Sequence, residues 1–505
     1  MKPVVLCILD GCGIREEKDG NAFANANKPN FDYLWNNYPH CYLEASGEFV
    51  GIPKGQMGNS EVGHQNIGAG QVIYQSLLRI SNDISSGNFY SNEAFLGAIN
   101  NCKAKGTNLH LIGLMSDGGI HSHIDHLFAL LDLCKRENFD RVYIHPLLDG
   151  RDTEPMVAPK YIEMLKQKIA QIGVGEIVTI AGRYYTMNRD RNWELTALGY
   201  NAIINGDGVF NVKSTEEAFE QEYSENLTDE FMKPTVLKKV PILANDSIIM
   251  FNFRSDRMIQ LLRALKMKDF ADFNRSRGYI PLYLVTMTEY EVNQEYENVH
   301  VAYKPIEITN TLGEYISNLG MKQLRLSEFE KSSHVTFHFN GCRDVVFPLE
   351  DIKIFDRQNV FTYDEMPQMR STEITDYLLK SINDYDLIVL NYPNGDALGH
   401  TGIYDKTVEG VECIDKCLGR IINESNLEAY TLVITADHGN CEIMIDPDGT
   451  PNKMHSTSLV PFIVVDKNIN IDSNVIGKLA DISPTILDIM GIDIPKEMTG
   501  RSLIK

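Results

Sequence analysis

The sequence has little of several things. Tryptophan occurs twice in 505 residues, and no apolar run approaches the roughly 18 residues that a membrane-spanning helix needs. The opening MKPVVLCILDGCG carries only Val4–Leu9 as an apolar run behind one lysine, which is short for a secretory signal. No Cys-x-x-Cys occurs. The nine cysteines, at 7, 12, 41, 102, 134, 342, 413, 417 and 441, are odd in number. That pattern disfavours a disulfide framework and fits reduced thiols, so the expected location is the cytoplasm. Positive charge is also short: 47 Lys and Arg stand against 69 Asp and Glu, a net −22. Generic binding to nucleic acid or to an anionic membrane is therefore not expected, although a local basic pocket is not excluded. There is no internal repeat and no low-complexity tract. With 43% apolar and 23% charged residues the composition is globular, and the length suits two or three domains.

Short apolar runs alternate with helical patterns from end to end. The runs are Val4–Leu9, Leu109–Met115, Val142–Leu148, Ile177–Ile180, Ile248–Phe253, Leu282–Val285, Leu387–Leu390, Thr431–Thr435 and Val460–Val465. They do not alternate polar with apolar, as strands covered on both faces should not. Helical spacing marks His126–Lys135, Pro159–Ile172, Glu373–Ile382 and Lys406–Ile422. The expectation is an α/β fold of mostly parallel sheets. The charged, weakly patterned stretch Thr215–Lys239 reads as a surface helix pair or excursion.

Seven of the runs end in polar loops: DG, SDGGIHSH, DGRDT, AGRYY, FNFRSDR, NYPNGDALGH and ADHGN. Turns favour Asp, Asn and Gly, but not repeated His and Arg. In open parallel sheets, ligands bind beyond the carboxyl ends of the strands. The loaded ends sort by position. Asp10, Ser60, Asp396, His400, Asp437, His438 and His455 lie toward the termini, whereas Arg151, Arg183, Arg189, Arg254 and Arg257 lie in the middle. This suggests one domain inserted into another, with crossings near 72–80 and 300–310.

Each motif has an ordinary reading. Asp396 and His400 are four apart, a metal-binding spacing on a helix, but Pro393, Gly395 and Gly399 argue for a loop. Asp437-His438 alone is a common turn after a strand. Together with Asp10 and His455, the mixed carboxylate–imidazole set suits Mn or Zn. Ser60 sits within the Gly-punctuated stretch GQMGNSEVGH, read as a loop. It could be a nucleophile, and with no evident Ser-His-Asp spacing, metal activation is the natural route. Guanidinium forks gathered in an acidic protein predict a small anionic substrate. In HSHIDH, His123 and His126 should open the following helix and leave His121 free. Gly11-Cys12-Gly13 is not a dinucleotide fingerprint, because Glu16 stands where the third Gly belongs.

ILDGCGIRE, GQMGNSEVGHQNIGAG, SDGGIHSHIDHL, DGRDT, GRYYTMNRDRNW, FNFRSDR, EKSSHVTFHFNG, ITADHGN and ADISPTILDIMG…EMTGRSL occur in one order. Taken together they resemble the cofactor-independent phosphoglycerate mutases of the alkaline phosphatase superfamily. The resemblance implies an alkaline-phosphatase-like discontinuous domain at 1–75 and 306–505, and an inserted α/β substrate-binding domain at 76–305. It implies Ser60 as the phosphorylated nucleophile. Asp10, Ser60, Asp437 and His438 would hold one ion, and Asp396, His400 and His455 another. His121, Arg151, Asp152, Arg183, Arg189, Arg254 and Arg257 would hold phosphoglycerate. Lys331 would stabilise the transferring group, and Asp152 would shuttle the proton. The expected reaction interconverts 3-phosphoglycerate and 2-phosphoglycerate through phosphoserine without 2,3-bisphosphoglycerate. The expected ions are two, Mn2+ ahead of Co2+, Mg2+ or Zn2+, and the expected state is a monomer. Five positions depart from the family's usual pattern: Ala397-Leu398 where Met-Val is common, Cys342 where a second Gly is common, Ser255 for Pro and Asn188 for Asp. A phosphomonoesterase, a different mutase of the superfamily, or a non-catalytic metal- or anion-binding protein are the rival readings.

Overall fold

The computed structural model describes residues 2–290 and 296–505. The chain divides into two compact units, one of Met1–Gln75 with Glu307–Lys505 and one of Ser76–Ile306.

The first unit is built on an eight-stranded sheet among the described residues. Its spatial order is Glu350–Phe355, Gln323–Glu328, Leu387–Tyr392, Val4–Leu9, Thr431–Thr435, Val460–Val465, His40–Glu44 and Ile476–Lys478. The first five run parallel. Val460–Val465 is antiparallel to both its neighbours. Every residue of Val4–Leu9, Leu387–Tyr392 and Thr431–Thr435 is buried, which explains their unbroken apolar reading. His40–Glu44 instead alternates between half-buried and buried residues, so its sequence carries no comparable run. Helices Pro29–Asn37, Ser371–Ser381 and Tyr404–Glu424 pack together, as do Ser60–Ala69 and Ile482–Met490.

The second unit holds a mostly parallel sheet in the order Val299–Tyr303, Tyr283–Thr288, Ser247–Met250, Leu109–Leu114, Val142–Leu148, Thr179–Gly182, Thr235–Val236 and Phe210–Asn211. Its strands feed two separate apolar clusters. Leu109, Leu111, Ile144, Ile249 and Val285 enter one, and Ile112, Leu114, Leu147, Ile248 and Leu284 enter the other. Strand side chains point alternately to opposite faces, so both faces of this sheet are covered.

Three local expectations change. The Ile177–Ile180 run is split at Val178 into Glu176–Ile177 and Thr179–Gly182. The Thr215–Lys239 stretch contains the α-helix Thr215–Ser224, a short 3-10 helix at Asp229–Phe231 and then the sheet strand Thr235–Val236, so it is not a surface excursion throughout. Asn394–Gly399 is a helix and not a loop. Pro393 caps it, where its missing N–H removes no internal bond. The two glycines follow from packing: a Cβ at Gly395 would lie 2.6 Å from the Asp10 carbonyl oxygen, and one at Gly399 would lie 2.1 Å from Asn440 Oδ1. Close packing of this helix against the neighbouring loops outweighs the low helix propensity of glycine.

This reverses the usual sign of a glycine replacement. Helix propensity alone would make Gly395→Ala stabilising by about 1 kcal/mol. The overlap should instead make it destabilising by roughly 1–3 kcal/mol. The check is the thermal unfolding midpoint, which should fall; a rise would show that the backbone yields freely at this point.

Candidate active site

The polar residues of the first unit gather at the carboxyl ends of four adjacent parallel strands. Asp10 follows Val4–Leu9, Asp396 follows Leu387–Tyr392, Asp437 and His438 follow Thr431–Thr435, and Lys331 follows Gln323–Glu328. Ser60 is the first residue of the helix Ser60–Ala69 and not part of a loop; the Asn59 side chain caps that helix by accepting from Val62 N at 2.9 Å. The GNSEV segment is thus an Asn-capped helix start, in which the cap sits one residue before the serine.

Ser60 Oγ lies 2.6 Å from Lys331 Nζ, 2.9 Å from His438 Nε2 and 3.2 Å from Asp10 Oδ1. Lys331 also donates to Asp10 Oδ1 at 2.7 Å and to Asp396 Oδ2 at 2.8 Å. Three buried carboxylates, Asp10, Asp396 and Asp437, thus gather around one ammonium. Burial pulls the Lys331 pKa down, but these carboxylates outweigh it and hold the amine charged. Burial pushes Asp396 up, yet Lys331 and the bonds from His400 and His455 hold it well below the usual carboxylate range. Asp10 goes the other way, raised by burial and by Asp437. A buried excess of negative charge of this kind calls for cations.

The imidazoles carry the same message. Nδ1 of His400, His438 and His455 faces the backbone carbonyls of Lys453, Gly439 and Gly58 at 2.8, 3.2 and 2.8 Å. A carbonyl accepts only, so each Nδ1 carries the proton and each Nε2 presents a lone pair when neutral. Those Nε2 atoms converge. His400 and His455 approach to 3.0 Å, and both lie close to Asp396 Oδ1, at 3.2 and 3.1 Å. Carbonyl-anchored imidazoles around carboxylates are the usual arrangement of a metal site. Two groups have ligand atoms within 4.8 Å of one another: Asp10, Asp437 and His438, and Asp396, His438 and His455. The donor set therefore fits divalent cations, with His438 shared and His400 at the exposed edge.

Residues that the sequence reading passed over complete this cluster. Asn391 donates to Asp10 Oδ2 at 2.7 Å, Asn440 donates to Asp396 Oδ1 at 3.0 Å, and His64 Nδ1 lies 2.9 Å from the Ser60 carbonyl and 3.2 Å from Asp437 Oδ2. Buried Glu442 accepts from Gly13 N at 3.1 Å and from Asn440 N at 2.9 Å. Of these, only His64 had a legible signal, standing four residues after Ser60 on one helix face.

The second unit carries the arginines, again at adjacent carboxyl ends. Arg183 is buried, and its Nη1 donates to Asp149 Oδ1 at 2.7 Å and to Asp152 Oδ2 at 2.6 Å. Asp149 also accepts from Ser116 Oγ and from the backbone N of Asp152. Arg183 therefore holds Asp152 in place. Arg189 and Arg254 converge on Asp256, at 2.8 and 3.2 Å, with about half of each side chain exposed. Arg151 is likewise half exposed, 3.4 Å from Glu230. Arg257 donates to the Met187 carbonyl at 3.3 Å; burial and then Arg183, Arg189 and Arg151 lower its pKa, which marks a concentrated positive field. His121 lies 3.8 Å from Asp152 and 3.7 Å from Asp256, and burial together with Arg183 lowers its pKa to about 4. As expected, His123 caps the helix Ile124–Arg136 and His126 is buried in it. Asp149 and Asp256 went unnoticed in the sequence, where they read as turn residues.

Each unit is thus a mostly parallel α/β sheet with ionisable groups at its strand ends, and the chain is of the class that combines a carboxylate–imidazole–serine cluster with an arginine cluster. Comparison with known proteins agrees. The family described as BPG-independent PGAM N-terminus matches residues 80–292. The 2,3-bisphosphoglycerate-independent phosphoglycerate mutase of Clostridium novyi (strain NT) is 49% identical, covering 100% of this chain and 99% of the relative. That of Moorella thermoacetica is 47% identical, covering 100% and 98%. A solved structure of Leishmania mexicana phosphoglycerate mutase, determined at low cobalt concentration, is similar at 29% identity and a TM-score of 0.57, covering 100% of this chain and 98% of that one. The chain belongs to the 2,3-bisphosphoglycerate-independent phosphoglycerate mutase family. No described helix is long and apolar enough to cross a membrane.

The His121 shift has a direct consequence. Its folded pKa lies below the ordinary value of 6.5, so the unfolded chain binds the extra proton first. Between pH 6.5 and about 4, stability should therefore fall with acidification, and His121→Asn should remove this part of the fall. A ring titration followed by NMR should place the His121 midpoint near the acid end of that range; a midpoint near 6.5 would overturn the assignment.

Proposed function

We propose that the chain interconverts 3-phosphoglycerate and 2-phosphoglycerate by passing the phosphoryl group through Ser60. The observation that carries this reading is the contact of Ser60 Oγ with Lys331, His438 and Asp10 in a buried, net-negative cluster, in a chain that belongs to this family. When bound, two divalent ions would supply Lewis-acid stabilisation of a transferring phosphoryl group, with Mn2+ suited to the mixed ligands. Asp10, Ser60, Asp437 and His438 would hold one, and Asp396, His400 and His455 the other. Lys331 stays charged and neutralises an equatorial phosphoryl oxygen, since electrostatic stabilisation dominates phosphoryl transfer. The Ser60 hydroxyl, at the N-terminus of a helix, is the nucleophile of the in-line attack.

Arg151, Arg183, Arg189, Arg254 and Arg257 hold the phosphate and carboxylate of the substrate, and His121, neutral at pH 7, contributes hydrogen bonds. Asp152, fixed by Arg183, takes the proton from the glycerate hydroxyl that receives the phosphoryl group. Glycerate must stay bound between the two half-reactions; otherwise water intercepts phosphoserine and the net reaction is hydrolysis. The large arginine set supports a mutase over a phosphomonoesterase, which has no need to retain its dephosphorylated product. The reading is of a monomer with a small anionic substrate and a cytoplasmic setting.

Ser60→Ala should abolish turnover of 3-phosphoglycerate, measured with 2,3-bisphosphoglycerate absent, while the fold persists. Labelled substrate should leave phosphate on wild-type Ser60, and normal turnover by the variant would sink the role of Ser60. Arg254→Lys replaces a fork by a point charge. It should weaken substrate binding about tenfold or more, the equivalent of one charge-assisted hydrogen bond, and increase release of free phosphate; unchanged values in both would remove Arg254 from the clamp. Treatment with a chelator should silence the enzyme, and Mn2+ should restore it. Acidification should require more Mn2+ for the same rate, because protons compete for the same carboxylates and imidazoles. A pH–rate midpoint that does not move with Mn2+ concentration would count against metal dependence.

A further inference from the structure

His64 is a fully buried imidazole on the second turn of the helix Ser60–Ala69. Its Nδ1 lies 2.9 Å from the Ser60 carbonyl oxygen and 3.2 Å from Asp437 Oδ2. A lone pair on Nδ1 would face two oxygens, so this nitrogen carries the proton. Nε2 is then the acceptor, and it meets the Asn391 amide nitrogen at 3.0 Å. The same nitrogen donates to Asp10 Oδ2 at 2.7 Å. Were the Asn391 amide turned over, its oxygen would face the Asp10 carboxylate, so this orientation is fixed too. The ring of His64 thus joins Asp437 to Asp10 by way of Asn391, and it is anchored on the carbonyl of Ser60. The approach is close. A Cβ at Gly63 would lie 2.7 Å from the Asp437 carbonyl oxygen, so only glycine lets the helix come this near.

We propose that His64 is a positioning residue for one of the two cation sites: it fixes Asp437 directly, and Asp10 through Asn391, around the Ser60 hydroxyl. The role rests on the reading of Asp10, Ser60, Asp437 and His438 as the ligands of one ion. His64 is not itself a ligand. His400, His438 and His455 aim their Nε2 lone pairs into the cluster, whereas that of His64 is taken by Asn391. The ring lies beside Asp437 Oδ2 without a well-aligned hydrogen bond, so it attracts that oxygen and leaves its lone pairs to a cation. Asp10 is divided in the same way. Its Oδ2 is held by Asn391, and its Oδ1 faces Ser60 and Lys331. The other proposed site has separate supports: Asn440 donates to Asp396 at 3.0 Å, and carbonyls hold His400 and His455. Loss of His64 should therefore loosen one site and spare the other.

The test is a Mn2+ titration of the metal-free, full-length protein, with free Mn2+ read by electron paramagnetic resonance. Wild type should take up about two equivalents, as a two-metal site requires. His64→Leu fills the space but can neither donate nor accept. It should weaken one equivalent by about tenfold or more, the usual effect of losing a group that orients a ligand, and leave the other unchanged. His64→Asn keeps a donor near the Nδ1 position and should recover part of the loss. Asn391→Leu cuts the link to Asp10 from a different element and should weaken the same equivalent. In turnover, kcat should fall at limiting Mn2+ and recover in excess Mn2+. KM for 3-phosphoglycerate should hold, because the arginines that bind it belong to the other unit. A residue that serves only the fold would lower the unfolding midpoint with no recovery by Mn2+. Wild-type uptake of both equivalents by His64→Leu overturns the positioning role alone. If leucine at 64 prevents folding, wild-type uptake by both His64→Asn and Asn391→Leu does the same. A wild type that takes up no Mn2+ overturns the reading of the Ser60 cluster as a cation site, and this role with it.

Discussion

Everything in the first unit depends on keeping three carboxylates buried beside one serine. Asp10, Asp396 and Asp437 cannot stay ionised in a dry interior without compensation, and Lys331 is the one ammonium among them. The strand order makes this possible. Asp10, Asp396, Asp437 and Lys331 come from the ends of four neighbouring parallel strands, so they converge although 427 positions separate Asp10 from Asp437. The surrounding amides serve the same end: Asn391 and Asn440 donate to the carboxylate oxygens that Lys331 leaves free.

The second unit solves the opposite problem. Its arginines would repel one another if left alone, and Asp149, Asp152 and Asp256 are spaced among them. The division of labour is visible in burial. Arg183 is enclosed, with Nη1 held by Asp149 and Asp152, whereas Arg151, Arg189 and Arg254 keep about half of their side chains open to solvent. A buried guanidinium bonded to two carboxylates positions them; exposed ones with a single carboxylate partner remain able to exchange it for an anionic ligand. His121 lies between the two kinds and stays neutral because burial and Arg183 oppose its protonation.

The imidazoles of the first unit show how backbone and side chain cooperate. Carbonyls of Gly58, Gly439 and Lys453 decide which nitrogen of each ring carries the proton, and so aim the lone pairs inward. None of these carbonyls has a sequence signature.

The sequence by itself determined the α/β class, because strands buried on both faces leave unbroken apolar runs such as Val4–Leu9 and Thr431–Thr435. It also determined the chemistry at their ends, since His and Arg have no general use in turns. Strands such as His40–Glu44 were not legible, because an alternating half-buried segment looks like many surface segments. Only the tertiary structure decided that Asn394–Gly399 is a helix, for the contacts that require Gly395 and Gly399 come from Asp10 and Asn440, far away in the chain. It alone placed Ser60 on a helix start, separated buried Arg183 from the exposed arginines, and brought in Asn391, Asn440, Glu442, Asp149 and Asp256. Residue types report the chemistry that a chain can perform. Which of them meet, and how much water reaches them, depends on which strands become neighbours.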